Sequence, residues 1–405
     1  MEERKEYRIG ELYNVQNGLS KGGEFFGTGY PFVSFKTVFN NYFLPVSILD
    51  LAETSEVDRI KYSVKRGDIL ITRTSETAEE LGMSCVALSD MPNATYNGFC
   101  KRLRPCHNDI VLPEYIGYLF RSKAIRSIFN SLSSMTTRAS LRNDDLLGIK
   151  LSLPTINEQK KVASILRTID TKIELNRRIN DNLEQQAQAL FKSWFVDFEP
   201  FKEGKFVDSE MGMIPEGWKV GRLCDFAIIT MGQSPSGDSY NENKEGMVFY
   251  QGRSEFGNRF PSIKLYTTDP NRIAEKNSIL ISVRAPVGDI NIASQDCCIG
   301  RGLASIKARG NYNSFLYYTV KSMKKEFDVY NGEGTVFGSI NKDSLNSMPV
   351  IIPTIEEISN FEKITSVLDY NYEKCHRENI ILTSLRDNLL PRLISGGLKI
   401  NDLNC

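Results

Sequence analysis

The sequence predicts an α/β (α+β) chain in which two mixed globular domains are joined by two long coiled-coil helices, arranged as an internal pseudo-twofold repeat. Three observations predict it. Ser140-Leu141-Arg142-Asn143-Asp144-Asp145-Leu146 through Leu153-Pro154-Thr155-Ile156-Asn157-Glu158 returns as Ser339-Ile340-Asn341-Lys342-Asp343-Ser344-Leu345 through Ile352-Pro353-Thr354-Ile355-Glu356-Glu357, at a constant offset of 199 residues. From 140 to 183 this offset gives 13 identities, where unrelated sequences would give roughly three. Each copy runs into a stretch whose apolar residues step alternately by three and four, the spacing of a helix with one buried stripe. Each is also preceded by short strand-like runs.

The bounds on the chain fit that class. Its 405 residues exceed one core and suggest two to four domains. No run of 18 apolar residues exists, so no membrane span is expected. The start, Met1-Glu2-Glu3-Arg4-Lys5, is charged with no apolar stretch behind it, unlike a secretory signal. The eight cysteines form no C-x-x-C pair, and only His107 and His376 could join them as nitrogen ligands. Free thiols in a reducing cytoplasm are expected, and no zinc site. Zero net charge argues weakly against a nucleic-acid binder, but its distribution argues back. Cys297 to Lys325 holds Arg301, Lys307, Arg309, Lys321, Lys324 and Lys325 with no acid. The matching first-half stretch holds Lys101, Arg102, Arg104, Arg121, Lys123 and Arg126 against Asp109 and Glu114. A solvated helix face would explain either stretch alone; their recurrence points to phosphate binding.

In chain order, residues 1–152 read as the first mixed domain. Tyr30-Pro31-Phe32-Val33-Ser34-Phe35 and Asp68-Ile69-Leu70-Ile71-Thr72 are strand-like, and a helix is expected near Glu114 to Phe129. Residues 153–198 form the first long helix, with Thr155 and Glu158 as its capping box and an end near Asp197. Residues 199–218 read as a linker, closing on Met213-Ile214-Pro215-Glu216-Gly217-Trp218. Residues 219–352 repeat the mixed domain: Val220-Gly221-Arg222-Leu223 echoes Ile9-Gly10-Glu11-Leu12, and Asn277 to Ser282 echoes Gly67 to Thr72. Residues 353–397 are the second long helix, capped by Thr354 and Glu357 and stopped between Pro391 and Gly397; residues 398–405 are a tail. The predicted seam is Val162, Ile165/Leu166, Ile169, Ile173, Asn176, Asn180, Leu183, Ala187, Leu190 and Trp194 on the first helix. On the second it is Phe361, Ile364, Leu368, Tyr372, Cys375, Asn379, Leu382, Leu385, Leu389 and Leu393. Asn180 and Asn379 are equivalent, and seam asparagines fix register. Helices of about 40 residues span roughly 60 Å, enough for a rigid spacer.

Several chemistries are missing from the sequence. There is no G-x-x-x-x-G-K-[ST], no [ND]-P-P-[FYW], no P-D…E-x-K and no G-x-S-x-G. Gly332-Glu333-Gly334-Thr335-Val336-Phe337-Gly338 is glycine-rich but lacks the following lysine, and its first-half counterpart has no glycine. A tight turn is expected there, and no catalytic site in the chain.

The segment Leu153 to Gln159 through Phe191-Lys192-Ser193-Trp194-Phe195-Val196-Asp197-Phe198 resembles the central conserved region of type I restriction-modification specificity subunits. Ser384-Leu385-Arg386-Asp387-Asn388-Leu389-Leu390-Pro391-Arg392-Leu393-Ile394-Ser395-Gly396 resembles the distal conserved region, and the linker ending at Trp218 is also similar. The resemblance implies that residues 1–152 and 219–352 are target recognition domains, each reading one half of a split, asymmetric site in double-stranded DNA. The two helices would run antiparallel, set the gap and dock two methyltransferase subunits, with two restriction subunits completing the complex. No cofactor is expected on this chain; S-adenosylmethionine, ATP and Mg would belong to the partners, and the protein would be cytoplasmic. Two readers on one duplex need centres roughly 34–36 Å apart, which such a spacer can supply. One helical turn inserted after Ile173 is expected to change the gap and leave both half-sequences intact.

Base reading needs bidentate donors on loops or strand ends. The candidates in the second module are Gln251, Gly252, Arg253 and Ser254, with Arg284 after the strand Ile279-Leu280-Ile281. Their first-module matches are Ser34, Lys36, Arg73, Thr74 and Ser75. Arg138 and Asn341 sit at the turn before each helix motif. Lys101, Arg102, Arg121, Lys321 and Lys324 are candidate phosphate contacts, and Arg301 joins the DNA-binding set. Trp194, Phe195, Phe198 and Phe201 read either as core at the helix end or as a partner-docking surface. Two alternatives stay open: a two-headed protein adaptor, and the recognition part of a single-chain restriction-modification enzyme. Salt-dependent retention on DNA and methylation by the purified chain separate them.

Overall fold

The structure is a computed structural model describing residues 4–75, 80–107, 109–132, 139–332 and 338–398. It divides into two compact units: residues 1–176 with 377–405, and residues 177–376. Arg138 and residues 333–337 of the glycine-rich segment lie outside the described residues.

In the first unit, Lys5–Arg8 pairs antiparallel with Lys150–Leu153. The main sheet is antiparallel and runs Tyr13–Asn17, Cys100–Pro105, Ile69–Thr72, Ser84–Val86. Strand side chains alternate between faces, and every residue of Ile69–Thr72 is buried, so this strand feeds two cores. Ile69 and Ile71 pack with Tyr115, Phe120 and Phe129 and with Val162, Leu166 and Leu390 of the long helices. Leu70 packs on the other side with Val33, Cys85 and Tyr96. A smaller sheet sets Phe26–Val33 between Leu51–Ala52 and a parallel partner, Thr95–Tyr96. The helix expected near Glu114 to Phe129 is two helices, Pro113–Arg121 and Lys123–Ser131. Ser122 breaks it: extended at ψ 150°, its hydroxyl accepts the Ile125 N–H as an N-cap.

The second unit repeats this plan. Lys219–Arg222 pairs with Pro349–Ile352. The main sheet runs Ala227–Met231, Leu303–Ala308, Ile279–Ser282, Ile290–Ile292. Ile279 and Ile281 face one core, and Leu280 faces a second with Val248 and Tyr250. Met247–Tyr250 lies parallel to Cys297–Ile299 in a second, five-stranded sheet. Residues 199–218, expected as a linker, are a packed segment: Phe206–Val207 pairs with Ile214–Pro215, and Ile214 and Trp218 are buried.

The long helices are Ile156–Phe195 and Ile355–Ser395. Both capping serine/threonine positions act as expected: Thr155 Oγ1 accepts the Glu158 N–H at 3.4 Å and Thr354 Oγ1 the Glu357 N–H at 3.3 Å, while Glu357 returns to the Thr354 N–H at 2.9 Å. Pro391 does not stop the second helix, which continues to Ser395. It sits one turn from the end, where one lost hydrogen bond is offset by burial of Leu390, Leu393 and Ile394. Gly396, at φ +75°, ends it instead.

The helices share a seam within each unit. In the first, Asp170 pairs with Arg386 (2.9 Å), Lys172 with Glu378 (3.2 Å), and Asn176 donates to Asn379 (3.0 Å). From Asp170, which meets Arg386, to Asn176, which meets Glu378 and Asn379, partner numbers fall as residue numbers rise, so the segments are antiparallel. In the second, Phe361 packs on Phe191, Trp194 and Phe195 at ring separations of 5.1–6.1 Å. The first helix buries Val162, Leu166, Ile169, Ile173, Asn176, Asn180 and Ala187, close to expectation. On the second, Thr365 is buried and Ile364 is 47% exposed, a one-residue shift from the predicted stripe. Thr365 satisfies its hydroxyl on the Phe361 carbonyl at 2.9 Å, so the seam accepts it. Leu385 is likewise exposed, because the neighbouring position is used by Arg386. Among the described residues, seven cysteines are free, no cluster could hold a metal ion, and no helix is long and apolar enough to cross a membrane.

Candidate nucleic-acid interface

In each unit the ends of several strands are stitched by backbone hydrogen bonds into one edge. In the second unit the Gln233 N–H reaches Ile299 O (2.9 Å), the Gly300 N–H reaches Tyr250 O (2.8 Å), and the Val283 N–H reaches Gly302 O (3.0 Å). Arg284 then bridges Ser339, and the Arg301 N–H reaches Ser234 Oγ at 3.3 Å. The same stitches recur in the first unit: Leu19 N–H to Tyr96 O (2.9 Å), Asn97 N–H to Val33 O (3.0 Å), Arg73 N–H to Phe99 O (2.9 Å), with Thr74 opposite Ser140. Glycine is required where the segments cross. A Cβ on Gly18 would lie 2.0 Å from Asn97 O, and one on the equivalent Gly232 would lie 2.2 Å from Gly300 O.

These pairings fix which residues correspond. Gln251 matches Ser34, Gln233 matches Leu19, Arg301 matches Gly98, and Arg284 matches Thr74, while Arg73 matches Val283. The expected grouping of Ser34, Lys36, Arg73, Thr74 and Ser75 with Gln251, Gly252, Arg253, Ser254 and Arg284 is therefore spatial as well as sequential.

The edge of the second unit is rich in donors. Gln233, Gln251, Arg284 and Arg301 are exposed. Arg253 and Ser254 are also exposed but engaged: Arg253 Nε pairs with Asp289 at 3.0 Å and Ser254 donates to Glu255 at 2.6 Å. Gly252 is extended, with open space around a Cβ built on it. Asn341 caps its own helix, accepting the Ser344 N–H at 2.8 Å. In the first unit Ser34 is likewise a cap, accepting the Thr37 N–H at 3.2 Å, while Lys36 is exposed.

Most of the expected phosphate contacts are held inside the protein. Arg121 donates to the carbonyls of Ser84, Val38, Phe39 and Asn41 at 2.6–2.8 Å. Arg102 is buried on Ser63 O and Gln16, with Tyr96 against its guanidinium. Lys101 is buried on Asn143, and burial together with Arg73 lowers its pKa. Lys321 pairs with Glu184 at 2.5 Å, and Lys324 with Asp289 at 3.2 Å. Counting charge along the sequence could not see these acids and carbonyls, which arrive from distant segments. The aromatic run is core-facing as well. Phe195 is buried, tilted against Trp218 and edge-on to Phe315, and Phe198 and Phe201 pack on Trp218 at 5.5 and 5.1 Å. Trp194 is half-buried on Phe361.

Three features were missed. Gln233 and Ser234 could have been found from Asn17-Gly18-Leu19-Ser20 recurring as Met231-Gly232-Gln233-Ser234. Phe99, 54% exposed on the first edge, carries no sequence signal. Nor does Arg259, whose side chain is 3% exposed and joins Glu184 (3.0 Å) and Asp369, one on each long helix. It anchors the second module to both helix segments of its unit. In the first unit Asp170, the repeat equivalent of Asp369, holds Tyr118 (2.5 Å) and Arg386.

The profile of the type I restriction modification DNA specificity domain matches residues 1–185 and 215–382. The chain is 32% identical over 393 residues to a Methanocaldococcus jannaschii protein provisionally designated type I restriction enzyme MjaX specificity subunit, covering 95% of this chain and 91% of the relative. It is 27% identical to the type I restriction enzyme HindI specificity subunit of Haemophilus influenzae, covering 98% of this chain and 100% of that one. The crystal structure of a type I restriction-modification S subunit from M. genitalium shares the fold, with a TM-score of 0.59 at 16% identity over 97% of this chain and 96% of that one.

Proposed function

The chain belongs to the type I restriction modification DNA specificity family, and from that premise we propose how it recognises DNA. It is a non-catalytic subunit. Each unit presents one strand-end edge to one half of a bipartite, asymmetric duplex site, and the antiparallel helices set the gap. The observation that carries this is the duplication of the edge itself: the same backbone stitches build it twice, once per unit. Arg284, Arg301, Gln251 and Gln233 supply base-edge donors in the second module, and Lys36 and Arg73 lie at the first.

Two methyltransferase subunits dock on the helices, and two restriction subunits complete the complex, which works in the cytoplasm. Methylation, translocation and cleavage then belong to those partners, together with S-adenosylmethionine, ATP and Mg. The apolar side chains left exposed on the helices support docking there in place of the aromatic run: Ile364 and Val367 in the second unit, Ile380, Ile381 and Leu385 in the first. Single-molecule methylome mapping with the partner subunits co-expressed tests the proposal. A single split motif, present only when this chain is present, is expected; unsplit or absent methylation would overturn it.

A further inference from the structure

The two edges share a backbone and differ in chemistry at four equivalent positions. Where the second module has Gln233, the first has Leu19, which is buried. Where the second has Gln251, the first has Ser34, whose hydroxyl is occupied by the Thr37 N–H and Thr37 Oγ1. Arg301 is replaced by Gly98, and Arg284 by the short, half-buried Thr74. Gln233, Gln251, Arg284 and Arg301 thus have no long hydrogen-bonding counterpart on the first edge, whereas Arg253 has Lys36.

What projects from the first edge at the crossing is Phe99. It follows the tight turn at Asn97, and both sides of its backbone are held: its N–H donates to Asn97 Oδ1 at 2.8 Å, and its carbonyl accepts the Arg73 N–H at 2.9 Å. The ring is 54% exposed on a fixed tip. Single exposed apolar residues are common on protein surfaces. This one occupies the position that in the second module is Gly302, beside Arg301, and so lies where a base edge would be read. An apolar side chain in the major groove has one base-specific partner, the C5 methyl group of thymine. Arginine and glutamine side chains instead match the O6 and N7 of guanine and the N6 and N7 of adenine.

We propose that the two modules read their half-sites by different chemistry, the first through contact of Phe99 with a thymine methyl group and the second through donors on Arg284, Arg301, Gln251 and Gln233 to purine edges. This rests on the reading of the chain as a bipartite DNA-recognition subunit. The division makes the recognised site chemically lopsided: one half depends on a methyl group and the other on purine N7 and O6.

The test uses the complex assembled with its methyltransferase partners and duplexes carrying the mapped site. Thymines are replaced singly by uracil, which removes only the methyl group, and guanines singly by 7-deazaguanine, which removes only N7. For the unaltered chain, one uracil in one half is expected to lower methylation rate or binding about fourfold. A deazaguanine in the other half should lower it about tenfold. In Phe99→Ala the uracil effect should vanish while the deazaguanine effect persists, and Phe99→Leu should retain part of the uracil effect. In Arg284→Ala or Arg301→Ala the reverse should hold. Uracil sensitivity that survives Phe99→Ala, or Phe99 and Arg284 effects falling in the same half, would overturn the inference while leaving bipartite recognition intact. Methylation with no dependence on either half would overturn both.

Discussion

Arg121 shows how a cation in a recognition domain can serve the fold alone. Its guanidinium satisfies four backbone carbonyls around the strand Ser84–Val86 and the helix Phe35–Asn40. Arg121→Ala should therefore lower unfolding free energy by about 3 kcal/mol, through carbonyls left without a donor. Chemical denaturation measures this. The salt slope of DNA binding by the assembled complex, measured on whatever folded protein remains, should not change; a slope reduced by about one would return Arg121 to the phosphate-contacting set. Glu184 gives a pH-dependent case. Burial raises its carboxyl, but Arg259 and Lys321 more than reverse this and hold it below the usual carboxylate range. A depressed carboxylate stabilises the native state above its unfolded value of about 4.3 and loses that contribution as pH falls through the folded value. Glu362 has the opposite sign, since burial raises it, so whole-protein acid stability mixes the two. The difference between the unaltered chain and Glu184→Gln isolates Glu184: large above about pH 5 and shrinking below about pH 4. A difference independent of pH would show that the Arg259 and Lys321 pairs contribute little.

Elements with strong local patterns were legible in the sequence. Long helices, their capping boxes and the buried strand Ile69–Thr72 follow from apolar spacing and from Thr155, Glu158, Thr354 and Glu357, all of which act within a few residues. What the sequence hid depends on distant partners. Ser122 divides a helix because an extended N-cap turns the chain onto the sheet, and Pro391 is tolerated because the first unit's core holds the final turn. The edges were half legible: Gln251, Arg284 and Arg301 are exposed where expected, whereas Lys101, Arg102 and Arg121 became interior once Asn143, Gln16 and the carbonyls came into reach. At this scale the one-residue shift of the seam makes a prediction. Ile364→Glu should change folding stability by no more than about 0.5 kcal/mol, as for an ordinary surface site, yet reduce co-purification with the methyltransferase subunits. Thr365→Glu should instead destabilise the protein by burying a charge. If Ile364→Glu leaves assembly untouched, the exposed stripe is not the docking surface.

At the scale of the whole molecule, the chain carries a duplicated edge and a pair of continuous helices. Ile156–Phe195 and Ile355–Ser395 each contribute one segment to the first unit and one to the second, and in the proposed reading their length sets the gap. Inserting seven residues between Asn176 and Arg177, and seven between His376 and Arg377, keeps the 3.5-residue seam and adds about 10 Å of helix. Methylome mapping of cells carrying this variant with its methyltransferase partners is the direct measurement. Both half-sequences should persist with the gap longer by about three base pairs. An unchanged gap, or half-sequences that change with the insertion, would contradict the account.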